Sequence, residues 1–99
     1  MNLHIGNGVL VALEHLVCVI DARNMAPDTR NFILRVGREN RVRPCEGRVK
    51  SYLVIRDESG KEAVLSSPIA STTLKKRWED ACLHTRIREL ALMTVEPCD

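Results

Sequence analysis

With 99 residues, 44% of them apolar, the chain is sized for one domain around one hydrophobic core, and its apolar share exceeds what a monomer needs to bury, so self-association is expected. Its longest apolar run, Leu16 to Ile20, falls far short of the ~20 residues that cross a bilayer, and Met1-Asn2-Leu3-His4 lacks the basic start and apolar middle of a secretory leader; a membrane role is excluded and a cytoplasmic location expected. The net charge of +2 conceals an uneven division: residues 1–22 sum to −2, residues 23–50 to +5 with eight basic side chains, residues 51–70 to −1, and residues 71–99 balance.

Leu3 and Ile5 alternate with His4, and Val9, Val11 and Leu13 alternate with Leu10 and Ala12, which predicts two short, half-buried strands. Asn7-Gly8 between them tolerates the positive φ of a two-residue type I′ turn. The unbroken, β-branched run Leu16-Val17-Cys18-Val19-Ile20 predicts a strand covered on both faces, the second cover being a helix or another subunit. Asp21 to Asp28 reads as a connection, after which Asp28 or Thr29 caps a helix carrying Phe32, Ile33 and Val36 on one side and ending at Gly37. Arg30, Arg35 and Arg38 then lie on or near its solvated side, and Arg41, Arg43 and Pro44 continue into an extended segment.

Tyr52 to Arg56 and Ala63 to Ser66 predict a hairpin around Asp57-Glu58-Ser59-Gly60, with Gly60 in the left-handed position. Ser71 is the expected N-cap of a last helix whose Leu74, Trp78, Ala81 and Cys82 fall at i, i+4, i+7 and i+8, turning Lys75, Lys76 and Arg77 outward. Leu83, Ile87, Leu90 and Ala91 prolong it on a shifted stripe, with Pro97 as its limit. The expected class is therefore α+β: a small antiparallel sheet built from short hairpins, a mid-chain helix and a C-terminal amphipathic helix. Residues 1–78 form the body, and 79–99 a helical extension of the same domain.

Chemistry by catalysis is not expected. His4, His15 and His84 stand beside no pattern that pairs them with a nucleophile or carboxylate, and Gly6-Asn7-Gly8 lacks the third glycine and following helix of a dinucleotide fingerprint. Cys18, Cys45, Cys82 and Cys98 form no C-x-x-C pair, so neither zinc nor any other metal or cofactor is expected, and reduced thiols fit a cytoplasm. Cys18 reads as a small core residue.

The basic middle points to a polyanion, because each phosphate neutralised by Arg or Lys releases condensed counterions. Only Phe32, Tyr52 and Trp78 are aromatic, too few for a platform that stacks single-stranded bases, so duplex DNA is the better fit. The favoured location is Gly47-Arg48-Val49-Lys50, where Gly47 allows close backbone approach and Arg48 can reach phosphate or base edges, the alternative being an ordinary solvated basic loop. Repetition of that loop in an oligomer multiplies a weak patch through effective concentration.

Four stretches carry a resemblance: Leu3-His4-Ile5-Gly6, Leu16 to Asp21, Asn24-Met25-Ala26-Pro27, and the serine- and threonine-rich run from Ser67 to Thr73 that ends in Leu74-Lys75-Lys76-Arg77. From residue 1 to about 78 the chain resembles the bacterial extracellular matrix regulatory proteins, the RemA and RemB family, and the RemB branch more closely. The resemblance implies a cytoplasmic, ring-forming oligomer. Its RemA branch binds promoter DNA and activates biofilm matrix genes through arginines in a loop matching Gly47 to Lys50 and a proline matching Pro27. Arg48 falls on the first arginine of that loop, whereas Val49 stands at the second, with Lys50 one place later. The expected DNA contacts are therefore Arg48 and Lys50 with Gly47 and Pro27, and Arg41, Arg43, Lys75, Lys76 and Arg77 as backbone contacts. The alternative from a different class is a structural module that forms a ring, binds no DNA, and takes a protein partner on its C-terminal helix.

Overall fold

The computed structural model describes residues 1–95, with side-chain surroundings through residue 84; Pro97 and Cys98, and the side chains of Ile87, Leu90 and Ala91, lie outside the described residues. The chain begins as a hairpin of β1 (Asn2–His4) and β2 (Leu10–Ala12), with Leu3 opposite Val11. Asn7 and Gly8 hold the centre of its turn at φ of 53° and 73°, the paired positive values a type I′ turn demands, and the Val9 N–H donates to the Gly6 carbonyl at 3.0 Å. Gly6 adds a third loop residue to the expected two. Its φ is 95°, and a Cβ there would stand 3.1 Å from Pro68 Cγ, so the loop packs directly on the segment leading to the last helix.

After a 3₁₀ turn at Leu13–His15 come β3 (Leu16–Asp21), α1 (Pro27–Arg38), β4 (Val42–Arg43), β5 (Ser51–Arg56), β6 (Glu62–Ser67) and α2 (Ser71–Val95). β3, β5 and β6 pair antiparallel, but β4 pairs parallel to β6, giving the order β3-β5-β6-β4. The expected all-antiparallel sheet is thus corrected to a two-stranded hairpin plus a mixed four-stranded sheet. The cause is α1: a helix between two strands returns the chain to its starting end, so β4 runs the same way as β3.

Each face of the four-stranded sheet has its own cover. Leu16, Val19 and Leu53 pack with Leu3, Ile5 and Val11 of the hairpin and Leu74 of α2, while Val54 and Val64 pack with Val36 of α1. Leu16 and Val19 share a face despite their odd spacing because the β3–β5 register shifts between Leu16 and Cys18, a bulge that turns Val17 out to solvent. β3 is therefore covered on both faces from within the chain, apart from Val17. Cys18 lies half-buried against the α1 side, and burial pushes its thiol above the ordinary value, which keeps it protonated.

Two helix boundaries differ from expectation. Neither Asp28 nor Thr29 caps α1; its N-cap is Ala26, without a side-chain bond, and Pro27 takes the first helical position, where its missing N–H costs nothing. At the other end Asn40 rather than Gly37 is left-handed, at φ 59°, with Asn40 N–H to Gly37 O at 3.0 Å and Arg41 N–H to Val36 O at 3.1 Å, the bond pair of a Schellman motif. In α2, Ser71 is the first helical residue rather than the cap, and the expected stripe holds for Leu74, Trp78 and Ala81 while Cys82 is exposed. Among the described residues no helix is long and apolar enough to cross a membrane.

Buried hydroxyls lock the pieces together. Ser51 Oγ donates to Ile69 O at 2.7 Å, and Ser67 Oγ donates to Ile5 O at 2.7 Å while accepting the Ile69 N–H at 3.1 Å. Ser67→Ala strands a buried carbonyl and a half-buried N–H, so the denaturation midpoint should fall by the equivalent of about 1–3 kcal/mol at an unchanged m value; an unchanged midpoint would show that water replaces the hydroxyl.

The β5–β6 hairpin closes as predicted on Asp57–Gly60, Gly60 lying at φ 86°. Asp57 Oδ1 accepts the Ser59 hydroxyl at 2.6 Å and the N–H groups of Ser59 and Lys61, both at 2.9 Å, which holds its carboxyl below the ordinary aspartate range. A carboxyl whose folded pKa is depressed contributes stability above its unfolded value of about 3.9 and loses it as pH falls through the folded value. The stability gap between wild type and Asp57→Ala is accordingly expected at neutral pH and should narrow in acid melts below that range; a gap that widens there contradicts the turn's role.

Candidate nucleic-acid interface

The segment from Pro44 to Lys50 joins β4 to β5 and is tied down along its length. Lys50 N–H donates to Ser67 O at 2.9 Å, Ala22 N–H donates to Lys50 O at 3.1 Å, and Glu46 N–H reaches Asn7 Oδ1 at 3.3 Å. Between these ties Gly47 takes φ 85°, and no atom lies within 4 Å of where its Cβ would be. Glycine therefore serves the left-handed turn here, not a close approach to another part of the chain.

Beyond that turn Arg48 and Lys50 are exposed on either side of half-buried Val49, as successive residues of extended backbone should be, and neither forms an ion pair among the described residues. Two cations are thus held out from an anchored backbone. The bond from Ala22 to Lys50 also brings the end of β3 alongside, and with it the exposed Arg23, whose Nε is 3.9 Å from Asp21. Arg23 is not among the expected contacts; the β3–β5 pairing makes it a neighbour. Pro27, exposed at the start of α1, follows at the end of the same connection.

The remaining basic residues lie just before β4, on β4 and on α2. Arg41 is half-buried, its guanidinium bonded to the Glu39 carboxylate and the Glu62 carbonyl, while Val64 N–H donates to Arg41 O at 2.9 Å. Arg41's hydrogen bond and charge hold the Glu39 carboxyl well down. It is a brace between α1 and β6.

Arg43 is exposed on the hairpin side of β4 and lines a cleft of about 590 Å³ with Ile5, Pro44, Cys45 and Leu65. Lys75, Lys76 and Arg77 are exposed in the first two turns of α2, about 6–9 Å along the helix from Ser71. Arg77 donates to His4 O at 3.0 Å. Phe32 and Tyr52 pack on the α1 side of the sheet and Trp78 on the hairpin side, so no aromatic platform accompanies the loop.

What the arrangement can do chemically is grip an anion from outside. Arg48 and Lys50 offer charged donors on a short, braced stretch, with Arg23 alongside. No protein-family model matches the chain, and no curated protein matches it either.

Proposed function

We propose that this chain is a DNA-binding transcriptional regulator of the extracellular matrix type, a cytoplasmic oligomer that acts by binding, without catalysis or cofactor, and lays repeated Arg48–Lys50 loops along duplex phosphate. The observation that carries this reading is the anchored loop with two outward cations that form no ion pair among the described residues. Holding the backbone rigid removes the ordering cost a floppy basic loop would meet on binding. Two phosphate contacts alone bind weakly, so the reading requires several copies acting on one duplex.

The test is duplex binding by the purified chain at two salt concentrations. Expected is retention at low salt that falls steeply as salt rises, with a slope exceeding the ~0.9 per phosphate that the contacts of one loop would produce. No retention at low salt overturns the proposal and favours the second reading, a ring-forming module with a protein partner on the last helix. That reading draws on Cys82 and Leu83, both exposed on α2 beyond Trp78, the latter 55%.

A further inference from the structure

Two exposed patches on this chain are complementary in both charge and apolar content. On the outer side of α1, Arg30, Leu34 and Arg38 recur at i, i+4 and i+8 and so share one face, with Arg35 beside them, its guanidinium 5.5 Å from the centre of the Phe32 ring. Leu34 is 53% exposed, and none of the three arginines makes an ion pair among the described residues. A second notch lies where β3 begins and the β5–β6 turn starts. There Val17, pushed out by the bulge and 42% exposed, is flanked by Glu14, Asp57 and Glu58. Arg56 also borders this notch, but its charge is met by Glu62 at 3.6 Å.

We infer that copies of this chain join head to tail, the arginine-rimmed Leu34 face of α1 on one copy seating against the acid-rimmed Val17 notch of the next. Each patch is an apolar centre in a rim where one sign predominates, Asp28 standing among the arginines of α1 and Arg56 among the acids of the notch, and the excess charges are opposite. A nucleic acid would match the arginines of α1 but set Leu34 against phosphate, where burial gains nothing, and it could not touch the acidic notch at all. Because the two patches are different surfaces, the contact is heterologous and repeats until it closes a ring or extends a filament. Neither patch includes Arg48 or Lys50, so every added copy brings its basic loop uncovered. The inference rests on the self-association the proposed function requires, and not on DNA binding itself.

Light scattering of the full chain without DNA tests it, with circular dichroism to confirm folding. Wild type is expected at several times 11.2 kDa, with the mass falling as salt rises. Arg35→Glu with Arg38→Glu should reduce the particle to a monomer, and so should Glu14→Arg with Glu58→Arg. Mixing the two monomeric proteins restores a large particle, because each then offers the charge the other's patch needs; this rescue cannot come from a misfolded variant. Arg48→Ala with Lys50→Ala should leave the mass unchanged, which separates this contact from the DNA reading. A monomeric wild type, reversed variants that keep the wild-type mass, or a mixture that stays monomeric overturns the inference.

Discussion

Replacing both Arg48 and Lys50 with alanine is expected to abolish retention of duplex DNA at moderate salt while leaving the fold intact. Both side chains are exposed and touch no partner that the fold needs, so unfolding stability should stay within about 0.5 kcal/mol of wild type. Arg48→Ala alone should cost roughly 1–3 kcal/mol of binding per engaged loop if the guanidinium reads a base edge. Removing Lys50 as well should lower the salt slope by about one unit for each phosphate no longer neutralised in each engaged copy. The informative control is Arg41→Ala. That side chain braces Glu39 and the Glu62 carbonyl, so its removal should appear in the melting curve. Undiminished DNA retention by the Arg48/Lys50 double variant would place the binding surface elsewhere.

Leu74→Ala carries the largest expected loss of stability. Leu74 is 0% exposed and, among the described residues, is the one fully buried apolar side chain that α2 gives to the cluster holding Leu3, Ile5 and Leu53. Truncation should cost about 2–5 kcal/mol, a large part of the ~5–15 kcal/mol that holds a domain together. For a chain of this length each kcal/mol lowers the melting temperature by roughly 4–8 °C. Trp78, one turn further along and packed on the same cluster, reports the event: its fluorescence should shift to the red as the helix loosens. A variant that melts with wild type and keeps its native emission would mean that α2 is held by something other than this side chain.

Much of this architecture is legible in the residues because the signals are local. Asn7-Gly8 and Gly60 announce their turns, since a positive φ is costly for most other residues, and alternation marks β5 and β6. β4 is not legible as a parallel strand: Val42 and Arg43 are two residues with no period, and only Val64 and Leu65, more than twenty positions later, define their pairing. The fate of Arg41 is hidden for the same reason, because Glu62 reaches it only through that pairing. The loop at Gly47 to Lys50 can be picked out by charge, yet its restraint by Ala22 and Ser67, and the approach of Arg23, depend on strands meeting across long stretches of chain. The caps of α1 go astray because side-chain preference at an N-cap is worth only ~1 kcal/mol, which Pro27 at the next position outweighs.

The bond from Ser67 to Ile5 spans 62 residues of chain. At a synthesis rate of about 5–20 residues per second, the opening hairpin is therefore made roughly 3–12 seconds before the serine that fastens it. For most of that interval Leu3, Ile5 and Val11 lack their lid, since Leu53 is made late in it and Leu74 only after it. The nascent chain must wait with its first apolar surface bare, and the final latch closes only when the far end of the sheet has emerged.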